Sequence, residues 1–267
     1  MDFPQTFLLI VAFLTGLSFG SFLNVIVYRL PLRKSIATPP SSCPSCSSRL
    51  GFVDLIPLFG YLVLHGHCRY CGVKISIRYP LVEMSVGLLF LFTFLKFGFT
   101  MTAFYNLTLL YLLTAIALID LEHRIVPNTL VATGLILGLL MQLPSIFSYW
   151  FNVSPVYLTG RSPVDALLGF LAGGAVLLIV FIVSKGGMGA GDVKLIAMIG
   201  FYAGLRGTAL VLLLAFLFGA LVGLTFMALG RLTRKDALPF APYLSLAAYI
   251  QVFWGDLIWN WYINFLI

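Results

Sequence analysis

The sequence predicts an all-α polytopic membrane protein with about eight transmembrane helices and a small zinc-stabilised cytoplasmic loop domain. Three observations support this prediction. The chain is 61% hydrophobic and only 9% charged, whereas a soluble globular domain carries about 25% charged residues. Its apolar residues fall into eight separate runs, as helices crossing a bilayer would require. The loop between the first two runs holds all four cysteines, in two C-x-x-C pairs.

The eight apolar runs place most of the chain in the membrane. Their approximate bounds are Thr6–Tyr28, Pro80–Phe97, Met101–Ile119, Pro127–Leu143, Val164–Val183, Val193–Ala203, Thr208–Leu229 and Phe240–Leu257. The first run is too long for the core of a signal peptide and lacks a basic region before it, so we expect a retained helix. The predicted domains are a first transmembrane helix over residues 1–28, a cytoplasmic zinc-binding loop domain over 29–79 and a seven-helix catalytic membrane domain over 80–267.

The basic residues of the loops predict an orientation. With eight crossings, thirteen of the sixteen Lys and Arg residues fall on one side of the membrane. Because loops rich in Lys and Arg stay in the cytoplasm, we expect the long loop inside and both termini outside. The net charge of +7 then reflects loop orientation. It does not indicate a nucleic-acid partner, and the lipid bilayer is the partner that the composition indicates.

The cysteines of the long loop predict a metal site. Cys43 pairs with Cys46 and Cys68 with Cys71, and two such pairs are typical of a tetrahedral zinc site. Two disulfides, or four unpaired thiols, are the alternatives. A cytoplasmic loop faces a reducing compartment, which disfavours disulfides. A structural Zn²⁺ would fold a loop that is too small to bury a core of its own.

Two aspartates lie at the ends of apolar runs, and each has an ordinary explanation. Asp120 could be a charge at the membrane surface, and Asp192 could cap the helix that follows it. However, Asp192 comes directly after the glycine-rich segment GGMGAG, residues 186–191. Backbone broken at membrane depth is tolerated only where it is buried in protein or lines a wet cavity. An acid in such a place is a candidate functional residue.

The two aspartates together indicate acid–base chemistry, because two close carboxylates can share one proton. Both fall on the predicted cytoplasmic side, so we expect the two side chains to lie close together. Such sites tighten only when substrate binds, so we expect about 4 to 10 Å between the carboxyl groups without substrate. Asp192 would begin a helix and Asp120 would end one. The helix macrodipole then predicts Asp192 as the resting base and Asp120 as the carrier of the shared proton.

The ordered motifs of the chain resemble the bacterial type IV prepilin peptidases, which are membrane aspartic proteases of the GxGD class. These motifs are GSFLNVIVYRLP (20–31), CPSC (43–46), CRYC (68–71), IRYPLVE (77–83), ALIDLEHRIVPN (117–128), GMGAGDVKL (187–195) and FAPYL (240–244). The resemblance implies an aspartic endopeptidase of the bacterial inner membrane that removes basic leaders from prepilins or pseudopilins at the cytoplasmic face. It implies catalytic roles for Asp120 and Asp192, with support from Gly189, Gly191 and Lys194.

The resemblance also implies methylation of the new N-terminus with S-adenosylmethionine, but the residues alone do not support it. The segment GMGAGD lacks the preceding strand and βαβ unit of a dinucleotide motif, so the cofactor-binding residues remain unassigned. Two other functions stay open on the residues alone. One is another intramembrane aspartic protease, of the signal-peptide-peptidase or presenilin kind. The other is a non-enzymatic transporter with a zinc-stabilised loop, since transporters also contain broken helices and buried acids.

Overall fold

The protein folds as a set of helices without a β-sheet in the part of the chain that the computed structural model describes, residues 3–150, 159–184, 187–230 and 239–266. The helices are α1 (Phe3–Arg29), α2 (Phe59–Val63), α3 (Arg78–Phe97), α4 (Met101–His123), α5 (Asn128–Trp150), α6 (Pro163–Val183), α7 (Ala190–Ala228) and α8 (Ala241–Leu266). Lys185 and Gly186, at the start of the glycine-rich segment, lie outside the described residues.

Six of the described helices are long and apolar enough to cross a membrane: α1, α3, α4, α5, α6 and α7. Helix α7 has 39 residues, about 58 Å at 1.5 Å per residue, which is nearly twice the roughly 30 Å core of a bilayer. Helix α8 has 26 residues and is long enough to cross, although Gln251, Asp256 and Asn260 make it more polar. Because α7 is two helices joined at a break, eight membrane segments result, as the sequence predicts.

The break in α7 lies at Gly204, whose φ of 70° and ψ of 178° are not helical. A side chain at this position would be strained at this φ, and its Cβ would meet the Asp165 carboxylate. Asp165 stabilises the restart of the helix, since its Oδ1 accepts a hydrogen bond from the Leu205 N–H at 3.0 Å. The second half of α7 therefore begins with a side-chain cap, as an independent helix does.

Residues 1–98 form one compact unit, in which α1 packs along α3 through small residues. A Cβ at Gly20 would lie 2.6 Å from the Glu83 Cα, and one at Gly16 would lie 2.9 Å from the Gly87 Cα. Glu83 is buried, and its Oε2 accepts a hydrogen bond from the Leu58 N–H at 2.8 Å. This contact ties the segment before α2 to α3. The predicted domain limits at residues 28 and 79 stay a prediction.

Residues 99–267 form the second compact unit, whose core is the first half of α7. Leu195, Ile196, Met198 and Ile199 are all fully buried there. Helix α6 approaches α7 so closely that a Cβ at Gly169 would lie 2.2 Å from the Gly200 carbonyl oxygen. Helix α4 packs against α5, α7 and α8. This packing brings the end of α4 and the starts of α7 and α8 into one region.

Helix α5 differs from the sequence prediction, which ended it near Leu143. The helix continues through Pro144 to Trp150. A proline inside a helix removes one backbone hydrogen bond, and neighbouring helices can compensate for that loss in a membrane protein. The continued segment has a buried polar side that includes Gln142, Ser145 and Ser148. The Gln142 Oε1 accepts a hydrogen bond from the Thr159 hydroxyl at 2.8 Å, so tertiary contacts hold this polar side in place.

Candidate active site

Asp120 lies in the last turn of α4 and is only 4% exposed. The helix ends just after it, because Arg124 adopts a left-handed conformation and donates its N–H to the Asp120 carbonyl at 2.8 Å. One carboxylate oxygen of Asp120 accepts a hydrogen bond from the backbone N–H of Ala241. The other, Oδ2, is buried without a hydrogen-bond partner among the described residues. The unpartnered oxygen marks a place where a proton, water or substrate could bind.

The Ala241 contact was not predicted from the sequence. Ala241 is the first residue of α8, and the first N–H groups of a helix have no partner within the helix. The motif FAPYL, residues 240–244, contained the available signal, because a proline beside a new apolar run often marks a helix start. The contact between this N–H and Asp120 depends on how α8 packs against α4. Two hydrogen bonds between these helices fix that packing: the Tyr249 hydroxyl donates to the Leu110 carbonyl at 3.0 Å, and the Ser245 hydroxyl donates to the Leu113 carbonyl at 3.4 Å.

Asp192 lies in the first turn of α7 and is 7% exposed. The N-cap residue of the helix is Gly189, so the alternative explanation, in which Asp192 is itself the cap, does not hold. The Asp192 N–H donates to the Gly189 carbonyl at 3.1 Å, and its carboxylate accepts from the Gly189 N–H. The turn therefore folds the carboxylate back over its own helix start.

The glycines beside Asp192 have steric reasons to be glycine. A Cβ at Gly191 would lie 2.8 Å from the Val126 Cβ, and one at Gly189 would lie 3.2 Å from the Asp192 Oδ2. The first value is closer than real Cβ contacts allow, so Gly191 lets α7 begin against the segment that follows α4. The supporting roles predicted for both glycines stay predictions, and the close approaches favour them.

The carboxylates of Asp120 and Asp192 interact electrostatically. The charge of Asp120 acts on Asp192, and both side chains are buried. Two buried acids in this relation favour a state with one proton between them, because two like charges cannot both be ionised cheaply at short range. The arrangement can therefore supply one general base and one general acid.

Lys194, the third predicted supporting residue, points elsewhere. Two residues after Asp192, it lies about 200° further round the helix. Its Nζ donates a hydrogen bond to the Asn128 Oδ1 at 3.0 Å, at the start of α5. The predicted support of the acids by Lys194 stays a prediction, and the observed contact joins α7 to α5.

The four cysteines converge within the first compact unit. The Sγ atoms of Cys43, Cys46, Cys68 and Cys71 all lie within 4.8 Å of one another, so they could hold a metal ion. No disulfide joins these four residues. The prediction of a four-thiol metal site is supported to this extent.

Two similar turns present the cysteines. In the first, the Cys43 N–H donates to the Ser48 carbonyl at 3.0 Å, and in the second the Cys68 N–H donates to the Val73 carbonyl at 2.8 Å. Asp54 links the turns, because its carboxylate accepts from the Gly51 N–H at 2.9 Å and from other donors on the second turn. These donors are the Arg69 Nε at 2.8 Å and the Tyr70 hydroxyl at 3.2 Å.

The thiols of this cluster are electrostatically suited to a cation. Hydrogen bonds from the Ser48 hydroxyl and backbone lower the pKa of Cys46 to about 6. The Val73 N–H favours the Cys71 thiolate, yet burial and the three neighbouring cysteines raise the pKa of Cys71 to about 12. Neighbouring thiolates thus repel one another, and a bound cation would relieve that repulsion.

Fold and site together define a multi-pass membrane protein with a buried pair of interacting carboxylates and a separate four-thiol cluster. Comparison with known proteins identifies its family. Residues 14–97 match the bacterial peptidase A24 N-terminal domain, and residues 107–224 match the type IV leader peptidase family. The chain belongs to the type IV leader peptidase family.

Curated relatives cover nearly the whole chain, and each is named prepilin leader peptidase/N-methyltransferase. The Pseudomonas aeruginosa protein is 35% identical, over 98% of this chain and 95% of its own length. The Pseudomonas putida protein is 34% identical, over 92% and 90% respectively, and the Bacillus subtilis protein is 33% identical, over 96% and 98%. No solved structure matches the chain.

Proposed function

We propose that this protein is a membrane aspartic endopeptidase that cleaves the basic leader from type IV prepilins or pseudopilins and then methylates the new N-terminus. The observation that supports this most strongly is the buried, interacting pair Asp120 and Asp192 in a chain of the type IV leader peptidase family. The relatives that span the chain are named for the same two activities. The family match disfavours the transporter alternative.

The carboxylate pair supplies the groups that peptide hydrolysis needs. An ionised aspartate takes a proton from a water molecule as the water attacks the scissile carbonyl carbon. The protonated aspartate stabilises the carbonyl oxygen and then gives a proton to the leaving amine, so the C–N bond breaks. After the step, the pair again holds a single proton, which now lies on the former base, so the two acids have exchanged roles.

The surroundings of the acids favour a resting arrangement of that proton. The Asp120 Oδ2 is buried and unpartnered, and an ionised oxygen in that condition is costly. A proton on this oxygen would remove the cost and could bridge to Asp192. The helix macrodipole does not separate the two acids, since the starts of α7 and α8 each offer an N–H to one of them. The unpartnered oxygen therefore supports Asp192 as base and Asp120 as acid.

The four cysteines are proposed to hold a structural Zn²⁺. The donor set of four converging thiols fits zinc, which binds four sulfurs tetrahedrally. Cys43, Cys46, Cys68 and Cys71 would be the ligands, and the ion would hold the two turns of residues 43–49 and 68–74 together. A closed four-sulfur shell leaves no position for a substrate, so the role is structural.

The second activity would transfer a methyl group from S-adenosylmethionine to the α-amine that cleavage releases. The described residues contain no βαβ unit, so the glycines before Asp192 do not form a dinucleotide-binding turn. Gly191 instead lets α7 begin close to Val126. The residues that bind the cofactor are unassigned, and the cofactor is proposed from the relatives' names.

The protein is a multi-pass protein of a bacterial membrane, and we propose the inner membrane, with the acids on the cytoplasmic side. Asp120 near the end of α4 and Asp192 at the start of α7 both lie at helix ends, and the basic residues of the neighbouring loops favour the cytoplasmic side for these ends. A substrate would be a chain with a basic leader that remains in the cytoplasm and an apolar segment that enters between helices.

One experiment tests both activities. The protein is purified in detergent and incubated with a prepilin and S-adenosylmethionine, and the product's N-terminus is read by mass spectrometry. We expect a shortened chain whose N-terminus is 14 Da heavier, the mass of one added methylene. A shortened chain without this increase in mass would support the peptidase activity and refute the methyltransferase activity. An unchanged prepilin would refute the proposed function.

A further inference from the structure

A groove of about 630 Å³ lies between α5, α6 and α7, within the range of about 300 to 1,000 Å³ that ligand sites occupy. Its wall is apolar, with Val131 and Leu135 from α5, Phe170 and Leu178 from α6, and Ala197 from α7. Only two polar residues line it, Asn128 and Lys194. The groove thus combines a long apolar wall with a small polar part.

Both polar residues lie at one end of the groove. Asn128 begins α5, and Lys194 is the fifth residue of α7. The Lys194 ammonium has three N–H donors, and its hydrogen bond to Asn128 uses one of them. Lys194 is exposed, so its remaining donors are available. The N-termini of α5 and α7 also meet at this end, and a helix N-terminus attracts anions.

The groove is separate from the acid pair. Asp192 and the buried Leu195 and Ile196 lie on the side of α7 that faces the core. Val193, Lys194 and Ala197 line the groove and lie roughly 100° to 200° round the helix from Asp192. A molecule in the groove would therefore sit behind α7, away from the carboxylates.

We propose that this groove is a binding site for an anionic phospholipid. One acyl chain would lie along the apolar wall, and the phosphate would accept hydrogen bonds from Lys194 beside the two helix N-termini. Basic pockets between transmembrane helices on the cytoplasmic side bind anionic headgroups for the same reason. The charge of the polar end favours this occupant over a zwitterionic lipid, whose own amine would meet the Lys194 ammonium.

The proposal is tested by native mass spectrometry of the purified full-length protein, delipidated and titrated with phosphatidylglycerol or phosphatidylcholine. We expect one phosphatidylglycerol to bind more tightly than phosphatidylcholine. Lys194→Gln should weaken phosphatidylglycerol binding about five-fold, the factor for about 1 kcal/mol per basic residue, and should leave phosphatidylcholine unchanged. Arg206→Gln, an exposed basic residue of the other half of α7, is the matched control and should match the wild type.

Filling the groove provides a second arm. Ala175→Phe should reduce binding of phosphatidylglycerol, whereas Ile179→Phe, on α6 outside the groove, should not. If Ala175→Phe does not fold, Ala132→Phe, which fills the groove from α5, takes its place in the experiment. Equal affinity for the two lipids in the wild type, or unchanged binding in Lys194→Gln, would overturn the proposal. Displacement of the lipid by equimolar inorganic phosphate would show a phosphate site and not a lipid site. None of these results depends on peptidase activity.

Discussion

Asp120 has an asymmetric environment, with one carboxylate oxygen bonded to the Ala241 N–H and the other unpartnered. A catalytic acid must be held in one orientation, and a backbone donor from another helix can do so without adding a second titratable group. Ala241 is thus a positioning residue in the proposed mechanism. It acts through its main chain, and its fully buried position leaves room for only a small side chain.

We predict that Ala241→Pro lowers kcat for prepilin cleavage by about ten- to a hundred-fold. Proline has no N–H and is tolerated at the first position of a helix, so the fold should survive while Asp120 loses its donor. Asp120 becomes negatively charged as it gives up its proton, and a hydrogen bond to a charged group is worth roughly 1.5 to 3 kcal/mol, which gives this range.

The matched control is Ala241→Gly, which keeps the N–H and should retain most of the activity. Initial cleavage rates and helical circular dichroism would be compared for both variants. Equal rates for Ala241→Pro and the wild type would show that the N–H does not position Asp120.

At the scale of elements, the break in α7 makes two membrane segments from one long helix. Asp165 and Gly204 create it, the first by capping Leu205 at 3.0 Å and the second by adopting a conformation nearly restricted to glycine. The break lies twelve residues after Asp192, so the first half of α7 is a short, buried segment that presents this acid at its start.

We predict that Gly204→Ala lowers the free energy of unfolding by about 1 to 3 kcal/mol, the cost of a sparsely populated backbone conformation. The added Cβ would also meet the Asp165 carboxylate. Thermal unfolding in detergent would measure the loss. Gly219→Ala, in the same helix, is the control, because its Cβ would meet only ordinary contacts from 3.5 Å outward. Similar stability in both variants would contradict this account of the break.

The cysteine-bearing loop is the second element with a testable role. We predict that Cys46→Ser loses most of the bound zinc, since the serine hydroxyl is a poor zinc ligand and three sulfurs leave the shell open. Elemental analysis would measure the metal. Residues 29–77 should become sensitive to protease while the membrane helices stay assembled, because metal binding supplies much of the folding energy of such a loop.

Ser47→Ala, beside the ligand, is the control and should keep its metal. Wild-type protein that contains no zinc after purification without chelator would refute the metal site itself. Zinc retained at full stoichiometry in Cys46→Ser would show that this residue is not a ligand.

At the scale of the whole molecule, hydrophobic runs predicted the membrane segments well. Each of the eight runs corresponds to a described helix or to one half of α7. Long apolar runs have few alternatives in a bilayer, where the backbone must satisfy its own hydrogen bonds. The four cysteines were predicted from their spacing, and the structure brings their sulfur atoms together. The catalytic roles of Asp120 and Asp192 stay predictions, based on the rarity of ionisable groups at membrane depth.

What the sequence did not predict depends on contacts between distant segments. The continuation of α5 past Pro144 relies on neighbours of its buried polar side, such as Thr159 at Gln142. To predict the Ala241 donor and the groove at Lys194, one would need to know which helices pack together. The alternative explanation of Asp192 as a helix cap does not hold, because the N-cap position belongs to Gly189, three residues earlier.

The predicted orientation is also a property of the whole molecule. We expect a single cysteine at Phe99, in a Cys-free background that still folds, to react with a membrane-impermeant maleimide from outside intact cells. A cysteine at Glu122 should react only after the membrane is opened, because the loop charges place that end of α4 in the cytoplasm. The reverse pattern would contradict the proposed cytoplasmic site.

The account depends most on Asp120 and Asp192 acting as one catalytic pair, and a cleavage assay of single variants tests this directly. Asp120→Asn and Asp192→Asn are each incubated with a prepilin in detergent, and the cleaved fraction is measured by mass spectrometry. Asn is nearly isosteric with Asp but cannot exchange the proton, so both variants should be folded by circular dichroism and should lose cleavage by a factor of at least about 10³, as removal of an acid–base residue predicts. Cleavage near the wild-type rate in either folded variant would contradict the mechanism.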